Sequence, residues 1–269
     1  MQKKCEVCNY KKLHNVLNLG YHPLCDDLIR ISSKNKINKN YKIEILYCDN
    51  CSTAFQKYNV KKKILFPKTY HYRSQLTNDV LWGMKSLVKD SQRLLGNLKN
   101  KIILDIGCND GSLLDQYKQT KATTIGIEPT NAGLEARKKG HKIYLDYVDA
   151  KTVRKIKNKF KRIDIITFTN VFAHIEDLNK LINNLKKMMS EKTILIIENH
   201  YLGSILAKKQ FDTFYHEHPR TYSLRSFVKI AKKLNANILD YSFPKRYGGN
   251  IRVIISKNNK IKKIKFKTL

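Results

Sequence analysis

The sequence contains no long hydrophobic run. None of its apolar stretches approaches the roughly 20 residues that a membrane-spanning helix requires. The first ten residues, MQKKCEVCNY, also lack the apolar segment of a secretory signal peptide. From these two absences we expect a cytoplasmic protein without a membrane span.

Acidic residues are scarce: 22 Asp and Glu stand against 53 Lys and Arg, which gives a formal net charge of +31. Such an excess is typical of proteins that bind nucleic acids or anionic membranes. The basic residues are nevertheless spread along the chain, mostly as lysine, without a concentrated arginine-rich patch. This distribution favours compositional drift over a nucleic-acid surface, although attraction to nucleotides and phosphates is still expected.

The six cysteines occur without a secretory signal, which favours metal binding or free thiols over disulfides. Four of them form two Cys-x-x-Cys pairs, Cys5 with Cys8 and Cys48 with Cys51. Four thiolates complete a tetrahedral Zn²⁺ shell with no open position, so the site is structural and supplies folding energy. We predict a zinc-binding module over residues 1–62 and ordinary thiols at the other two cysteines.

After the zinc-binding module, the pattern of apolar residues changes at position 63 and again at position 101. Residues 63–100 show helical spacing of apolar positions and are expected to connect the module to a second domain, 101–269. In that domain strand-like runs alternate with amphipathic helical segments; the runs are KIILDIG, TTIGIEP, GHKIYL, RIDIITFTNV and KTILIIENH, with a closing hairpin from ANILDYSF and GNIRVIIS. This alternation predicts an α/β, Rossmann-like fold whose mostly parallel sheet binds ligands at the carboxyl ends of its strands.

The first strand of this domain leads into the glycine turn ILDIGCNDGSLL. The candidate ligand residues of the turn are Asp105, Gly107, Asn109, Asp110 and Gly111. Their D-x-G-x-x-x-G spacing departs from the dinucleotide pattern, and the acids would repel a pyrophosphate. A ligand with a cationic amino-acid portion, such as S-adenosylmethionine (SAM), suits the turn better. Glu128 ends the next strand, where an acid can accept hydrogen bonds from both ribose hydroxyls.

The stretch QFDTFYHEHPRTYS crowds Tyr215, His216, Glu217 and His218 together. Such a cluster could be a metal site, an acid–base site or a polar loop. The cysteines already satisfy the zinc, and no pair of histidines has the i, i+4 spacing that one helical face offers a metal. Pro219 also disfavours helical geometry at His218. The pattern therefore favours a proton-transfer group.

The whole chain resembles the sugar C-methyltransferases, SAM-dependent enzymes that modify nucleotide-linked deoxysugars. The matching stretches occur in order, and they are the two Cys-x-x-Cys pairs, LGYHPLCDD, YHYRSQLT, DIGCNDGSLL, GIEPT, NVFAHIEDL, QFDTFYHEH followed by YS, and GGNIRV. The resemblance implies a class I SAM-dependent methyltransferase domain with a small N-terminal zinc-binding module. It also implies a nucleotide-linked small-molecule substrate, such as a surface-polysaccharide or capsule precursor.

The resemblance assigns residues to two sites besides the zinc. Asp105, Gly107, Asn109, Asp110, Gly111 and Glu128 would form the SAM site, with Asn170 near it. His174, Tyr215, Glu217 and His218 would face the substrate, and a tyrosine, Tyr72 or its neighbour Tyr70, would close over it. Methylating the carbon beside a sugar ketone requires removal of a proton from that carbon. We therefore expect His218 to act as the base, Glu217 to orient it, and Tyr215 with His174 to donate hydrogen bonds to the enolate oxygen.

Two departures from that family keep other functions open. The sequence ends soon after GGNIRV, where the fuller family continues into another domain, so a homodimer partner could complete the enclosure. Arg220 follows the cluster where the family more often carries an apolar residue, and it could bind a phosphate. An O-methyltransferase for a sugar hydroxyl or for a phosphate- or phosphoramidate-type capsule precursor is therefore an alternative. An RNA-binding protein or RNA methyltransferase is the alternative from another class, but we do not expect a nucleic-acid partner because the basic residues are scattered.

Overall fold

The computed structural model describes residues 2–28, 31–32 and 39–258. A loop or hairpin is expected from the Lys- and Asn-rich stretch ISSKNKINKNYK between the cysteine pairs; its middle, residues 33–38, lies outside the described residues, as does the basic tail after 258. Within the described ranges, no helix is both long and apolar enough to cross a membrane.

The N-terminal region forms a small antiparallel sheet. Its first three strands are β1 (His14–His22), β2 (Tyr41–Cys48) and β3 (Thr53–Gln56), and they pair in that order. The turn from β2 to β3 contains Cys51, and the backbone N–H of Ser52 donates to the carbonyl oxygen of Cys48 at 2.8 Å. The second cysteine pair therefore lies on a tight knuckle at the end of this sheet.

The connecting region is helical. It contains α1 (Lys62–Leu65), a 3-10 turn (Ser74–Leu76) and the longer α2 (Asn78–Leu95). The buried apolar positions of α2, namely Val80, Met84, Leu87 and Val88, recur at helical spacing and cover one face of the large sheet. The helix ends before Gly96, which has the positive φ of 69° that a glycine tolerates.

The large sheet has seven strands. Five are parallel, namely β4 (Ile102–Ile106), β5 (Thr123–Ile127), β6 (Lys142–Tyr144), β7 (Ile165–Thr169) and β8 (Ile194–His200). The helices between them are α3 (Ser112–Lys118), α4 (Ala132–Lys138), α5 (Ala150–Lys159) and α6 (Leu178–Met188). The C-terminal elements are α7 (Leu202–Lys208), β9 (Arg220–Thr221), α8 (Leu224–Lys233), β10 (Asn237–Ser242) and β11 (Asn250–Ser256).

The spatial order of the large sheet is β10-β11-β8-β7-β4-β5-β6, with β11 antiparallel to both of its neighbours. Alternate residues of one strand face different cores: Ile103 packs with α2 and α3, whereas Leu104 packs with the helices of the other face. This burial on both faces explains why the parallel strands are continuous apolar runs. The predicted Rossmann-like sheet and its closing hairpin are confirmed.

The small sheet is joined to the large domain by strand pairing. β9, from far along the chain, pairs with β3, so that Phe55 faces Arg220. Ile43 and Ile45 of the small sheet also share a buried cluster with Leu202 and Phe214. The sheet that follows the first cysteine pair is therefore completed by residues well beyond 62, and the loop 211–219 lies between the two sheets.

Candidate functional site

The four cysteines of the two Cys-x-x-Cys pairs converge. Their sulfur atoms all lie within 4.8 Å of one another, with Cys5 Sγ 3.5 Å from Cys51 Sγ and Cys8 Sγ 3.5 Å from Cys48 Sγ. In a tetrahedral Zn²⁺ site with Zn–S bonds of about 2.3 Å, neighbouring sulfurs lie roughly 3.8 Å apart. The donor set and its spacing therefore fit a closed, structural zinc site.

A cavity of about 360 Å³ opens at the carboxyl ends of the parallel strands. It lies where the strand order reverses, because β4 has β5 on one side and β7 on the other. This switch point is where open α/β sheets bind their ligands. Four of the predicted cofactor residues line the cavity, and these are Gly107, Asn109, Glu128 and Asn170.

The backbone at the end of β4 requires glycine. Gly107 has φ of 73°, and a Cβ atom built there would lie 2.5 Å from Val171 Cγ1. Asn109 and Asn170 also have positive φ angles, of 50° and 54°. The turns that follow β4 and β7 thus approach each other closely, which leaves their backbones exposed to a ligand in the cavity.

Glu128 holds the neighbouring loop in place. One of its carboxylate oxygens accepts the N–H of Asn109 at 3.0 Å, and the other accepts the N–H of Thr130 at 2.9 Å and its hydroxyl at 2.7 Å. The carboxylate is buried but lines the cavity. Its position at the end of β5 is the one from which an acid can bind ribose hydroxyls.

Three predicted cofactor residues support the turn from behind and do not line the cavity. Asp105 accepts the Thr167 hydroxyl at 2.7 Å between two strands, and burial raises its pKa to about 7. Asp110 accepts the N–H groups of Ser112 and Gln75. Both carboxyls are engaged in hydrogen bonds within the protein, and their contact with the cofactor stays a prediction.

Gly111 is the third such residue. It precedes α3 with φ of 81°, and a Cβ atom there would lie 2.9 Å from Ala136 Cβ. The glycine is needed for the close packing of α3 against α4. The prediction had instead placed Gly111 in contact with the cofactor.

Several residues of the cavity were missed from the sequence. Asp146, Tyr147 and Val148 follow β6 and line one end. Arg246, in the loop between β10 and β11, also lines the cavity. The strand-end rule could have found the first three, whereas no sequence pattern marked the arginine.

The QFDTFYHEHPRTYS stretch pairs the buried His218 with the half-buried Tyr215. His218 Nδ1 lies 3.1 Å from the carbonyl oxygen of Thr213, so this nitrogen must carry the proton and donate it. His218 Nε2 then accepts a hydrogen bond from the Tyr215 hydroxyl at 3.0 Å. Burial, reinforced by neighbouring His174 and His200, lowers the pKa of His218 well below its usual value. The ring is therefore neutral near pH 7 and has one basic nitrogen directed at the tyrosine.

Two further histidines surround this pair. The His174 ring lies 5.0 Å from that of His218, is stacked at 5.2 Å on Phe66, and lines the cavity. Burial lowers the pKa of His174 to about 3, with His200 contributing. His200, at the end of β8, lies 5.1 Å from the His218 ring, and burial lowers its pKa to about 4. His200 was missed, although the strand-end rule applied to KTILIIENH could have found it.

Glu217 does not orient His218, contrary to the prediction. Its carboxyl instead accepts the Tyr70 hydroxyl at 3.2 Å, while Thr213 orients the imidazole ring. Burial, and then Asp26 from the loop after β1, raises the pKa of Glu217 to about 8. Glu217 is therefore largely protonated near neutral pH. The chain turns at this point, with the His218 N–H donating to the Tyr215 carbonyl oxygen at 2.9 Å, and the two adjacent side chains have different partners.

The two tyrosines expected to close over the substrate, Tyr70 and Tyr72, have different contacts. Tyr70 and Tyr72 both line the cavity, but Tyr70 bonds to Glu217 while the Tyr72 hydroxyl lies 3.5 Å from that of Tyr247. The carbonyl oxygen of Tyr72 accepts the side-chain amide of Asn109 at 3.1 Å. Tyr70 thus belongs to the histidine cluster, and Tyr72 lies beside the glycine turn.

Arg220 is not available to bind a phosphate, which corrects the prediction. It is 2% exposed, and its guanidinium donates to Glu6 and to the carbonyl oxygens of Ile175 and Glu176. These bonds connect the first cysteine knuckle, β9 and the loop after β7. His216 is likewise structural, with Nε2 3.1 Å from the carbonyl oxygen of Tyr41.

Comparison with protein families gives two matches. Residues 82–241 match the family described as "Methyltransferase domain", and residues 5–66 match the one described as "Putative zinc binding domain". The C-methyltransferase NovU of Streptomyces niveus is 22% identical over 93% of this chain. A ubiquinone biosynthesis O-methyltransferase of Pelagibacter ubique is 28% identical over 41% of it. The chain spans 60% of the length of the former and 45% of the latter.

Solved structures share the fold. Magnesium protoporphyrin IX methyltransferase from Synechocystis PCC 6803, with bound SAH, superposes with a TM-score of 0.53 at 15% identity, covering 67% of this chain and 84% of that one. A SAM-dependent methyltransferase from Archaeoglobus fulgidus superposes with a TM-score of 0.51 at 15% identity, covering 64% of this chain and 94% of that one. Both likenesses place the large domain in the class I methyltransferase fold.

Proposed function

This chain belongs to the methyltransferase-domain family, and on that basis we propose that it methylates a carbon atom beside the ketone of a nucleotide-linked sugar. The cofactor is S-adenosylmethionine, whose sulfonium supplies an electrophilic methyl group when it is bound. Gly107, Asn109, Glu128 and Asn170 would hold it at the strand ends, where a Cβ atom on Gly107 could not fit. The cysteine site contributes stability and no chemistry, because its four ligands leave no open position.

The observation that carries the proposal is the pair of His218 and Tyr215. Carbon methylation needs a base that removes a C–H proton, and His218 is neutral with a basic lone pair on Nε2, which accepts the Tyr215 hydroxyl in this structure. In the proposed reaction His218 Nε2 takes the proton, and the C–H electron pair moves into the enolate. The Tyr215 hydroxyl then turns its hydrogen bond from His218 to the enolate oxygen, which stabilises the negative charge.

The neighbouring rings assist this proton transfer. His174 is neutral, lines the cavity and has its ring 5.0 Å from that of His218, so its N–H can serve as a second donor to the enolate oxygen. Once His218 is protonated, its charge is compensated by the enolate beside it. After the methyl group has been transferred to the carbon, the lowered pKa of His218 favours release of its proton to solvent, which restores the neutral base. The likeness to the C-methyltransferase NovU along 93% of this chain supports carbon as the acceptor.

A proton-exchange experiment tests the proposal. The zinc-loaded protein is incubated in D₂O with S-adenosylhomocysteine and a nucleoside diphosphate ketosugar, and the C–H signal beside the ketone is followed by NMR. We expect the wild type to exchange this proton for deuterium and His218→Asn to lose the exchange, while His216→Asn retains it. A wild type that binds both ligands but exchanges no proton would contradict the proposal.

Methylation of oxygen is the second candidate, and the similarity to the ubiquinone biosynthesis O-methyltransferase favours it. A hydroxyl acceptor would also use His218 as the base, but it would require no exchange at carbon. Transfer from SAM labelled with ¹³C in the methyl group distinguishes the two, because the carbon shift of a methyl ether differs from that of a C-methyl group. An O-methyl product without deuterium exchange would establish the alternative.

A further inference from the structure

Arg246 is a buried cation in the wall of the cavity. Only 7% of its surface is exposed, and it lies in the loop between β10 and β11. Its Nη1 donates to the carbonyl oxygen of Val80 at 3.0 Å, which anchors the side chain against α2. The side chain nevertheless lines the cavity.

One edge of the Arg246 guanidinium lacks hydrogen-bond acceptors among the described residues. Nε lies 2.7 Å from a carboxylate oxygen of Glu198 without the alignment of a hydrogen bond, and Nη2 has no hydrogen-bond partner among the described residues. The other carboxylate oxygen of Glu198 is held by Arg252, which also pairs with Asp90. Glu198 is thus shared between two arginines. A buried charged donor without an acceptor is unfavourable, so an acceptor is expected from the cavity.

The strand order gives the orientation of a ligand in this cavity. Glu128, at the end of β5, is placed to bind the ribose. The residues after β6, such as Asp146 and Val148, lie on the side of β5 away from β4. Arg246 lies on the opposite side, since its partner Glu198 is on β8, in register with Thr169 of β7. With the ribose at β5 and the base toward β6, the amino-acid end of SAM would extend across β4 toward the arginine.

We propose that Arg246 binds the α-carboxylate of S-adenosylmethionine through Nη2. The carboxylate is the only anionic group of that molecule, and a guanidinium is the side chain that binds a carboxylate with the best geometric match. The inference concerns cofactor binding alone and does not depend on the identity of the methyl acceptor.

Two ligands that differ only in this carboxylate provide the test. SAM and decarboxylated SAM are titrated by calorimetry, without a methyl acceptor, into the wild type, Arg246→Gln and Arg246→Lys. We expect the wild type to bind SAM about 10- to 100-fold more tightly than decarboxylated SAM, the range for a charged hydrogen bond. In Arg246→Gln this preference should disappear through weaker binding of SAM, while the affinity for decarboxylated SAM stays within about threefold. Arg246→Lys should keep part of the preference.

Lys180→Gln is the matched control, because it removes one positive charge from the α6 side of the same cavity. It should keep the full preference for SAM. The melting temperature of Arg246→Lys should lie within a few degrees of the wild type, which would show that the fold tolerates replacement of this arginine. Equally weakened affinity for both ligands in Arg246→Gln, or unchanged affinity for both, would then overturn the inference. The inference would also be overturned if Arg246→Gln kept the preference for SAM but no longer bound a nucleotide-sugar acceptor. Arg246 would then bind an anionic group of the acceptor rather than the carboxylate of SAM. A wild type that binds neither SAM nor its analogue would instead contradict the cofactor assignment.

Discussion

His218 Nε2 accepts a hydrogen bond from the Tyr215 hydroxyl at 3.0 Å, in a pocket where burial and two other histidines keep the imidazole uncharged. An ordinary histidine becomes protonated below a pH of about 6.5 and then cannot act as a base. The pKa of His218 is lowered, so its basic form persists below that pH. The proton-accepting nitrogen is therefore available over a wider acidic range than in an exposed histidine.

The first prediction concerns the pH dependence of catalysis. Because the pKa of His218 is well below its usual value, kcat/KM should show no loss of activity near pH 6.5, and its acidic limb should appear at lower pH. A profile of kcat/KM between about pH 5 and pH 8 measures this directly. A limb with a midpoint near the ordinary histidine value would show that a different group, or an exposed His218, is the base.

Glu217 should make stability depend on pH. Its pKa is raised from 4.5 to about 8 on folding, so the folded protein binds a proton that the unfolded chain releases between these values. The resulting stabilisation is complete below about pH 4.5 and is lost as the pH rises toward 8. Glu217→Gln cannot ionise, so the decline should be smaller by on the order of 1 to 3 kcal/mol. Urea unfolding of both proteins at several pH values provides the measurement, and parallel curves would contradict this role.

Arg220 should stabilise the junction between the small sheet and the large domain. Replacing it with methionine removes the partner of the half-buried Glu6 carboxylate and the donors to two carbonyl oxygens, and we expect a loss of about 2–4 kcal/mol, less than the cost for a fully buried pair. Arg225→Met, at an exposed position of α8, is the control and should change the free energy of unfolding by less than about 0.5 kcal/mol. Similar unfolding midpoints for the two variants would refute the structural assignment.

Gly107 should be essential to the cofactor site for two reasons: a side chain there would clash with Val171, and its φ angle is positive. Gly107→Ala brings a methyl group into Val171, whereas Gly20→Ala has a similar positive φ with no atom within 4 Å of the new Cβ. Both variants carry backbone strain of about 1 kcal/mol, but only Gly107→Ala should displace the turn. We expect SAM affinity to fall at least about tenfold in Gly107→Ala and to stay unchanged in Gly20→Ala, as measured by calorimetry. Equal affinities would show that the close approach of the two turns is not required.

Removal of zinc should unfold the N-terminal sheet. The purified protein should contain one zinc ion per chain, and a strong chelator should lower the melting temperature, because the ion holds both cysteine knuckles. Cys51→Ser should have the same effect without a chelator. Cys25→Ser is the control, since Cys25 is an exposed free thiol outside the cluster. A metal-free wild type with an unchanged melting temperature would contradict a structural role.

The sequence was sufficient for the strands of the large sheet and for the two local motifs. Continuous apolar runs predicted the parallel strands, because a strand buried on both faces must be apolar at every position. The paired cysteines predicted their convergence because a metal demands all four ligands, and Gly107 marked a turn whose positive φ favours glycine. In each case the determining force acts within a few residues of the chain, or through a ligand with fixed geometry.

The partners of the charged and polar side chains were decided by the tertiary structure alone. Arg220 was expected to bind a phosphate, but it meets Glu6, which is 214 residues away. Glu217 was expected to orient His218, but the Asp26 loop and Tyr70 reach it instead. Such pairings depend on which loops meet after strands from distant parts of the chain have paired. The amino-acid sequence therefore determined the large sheet and its ligand edge, while tertiary packing decided that Arg220 is buried against Glu6, that Glu217 is protonated beside Tyr70, and that His218 is neutral.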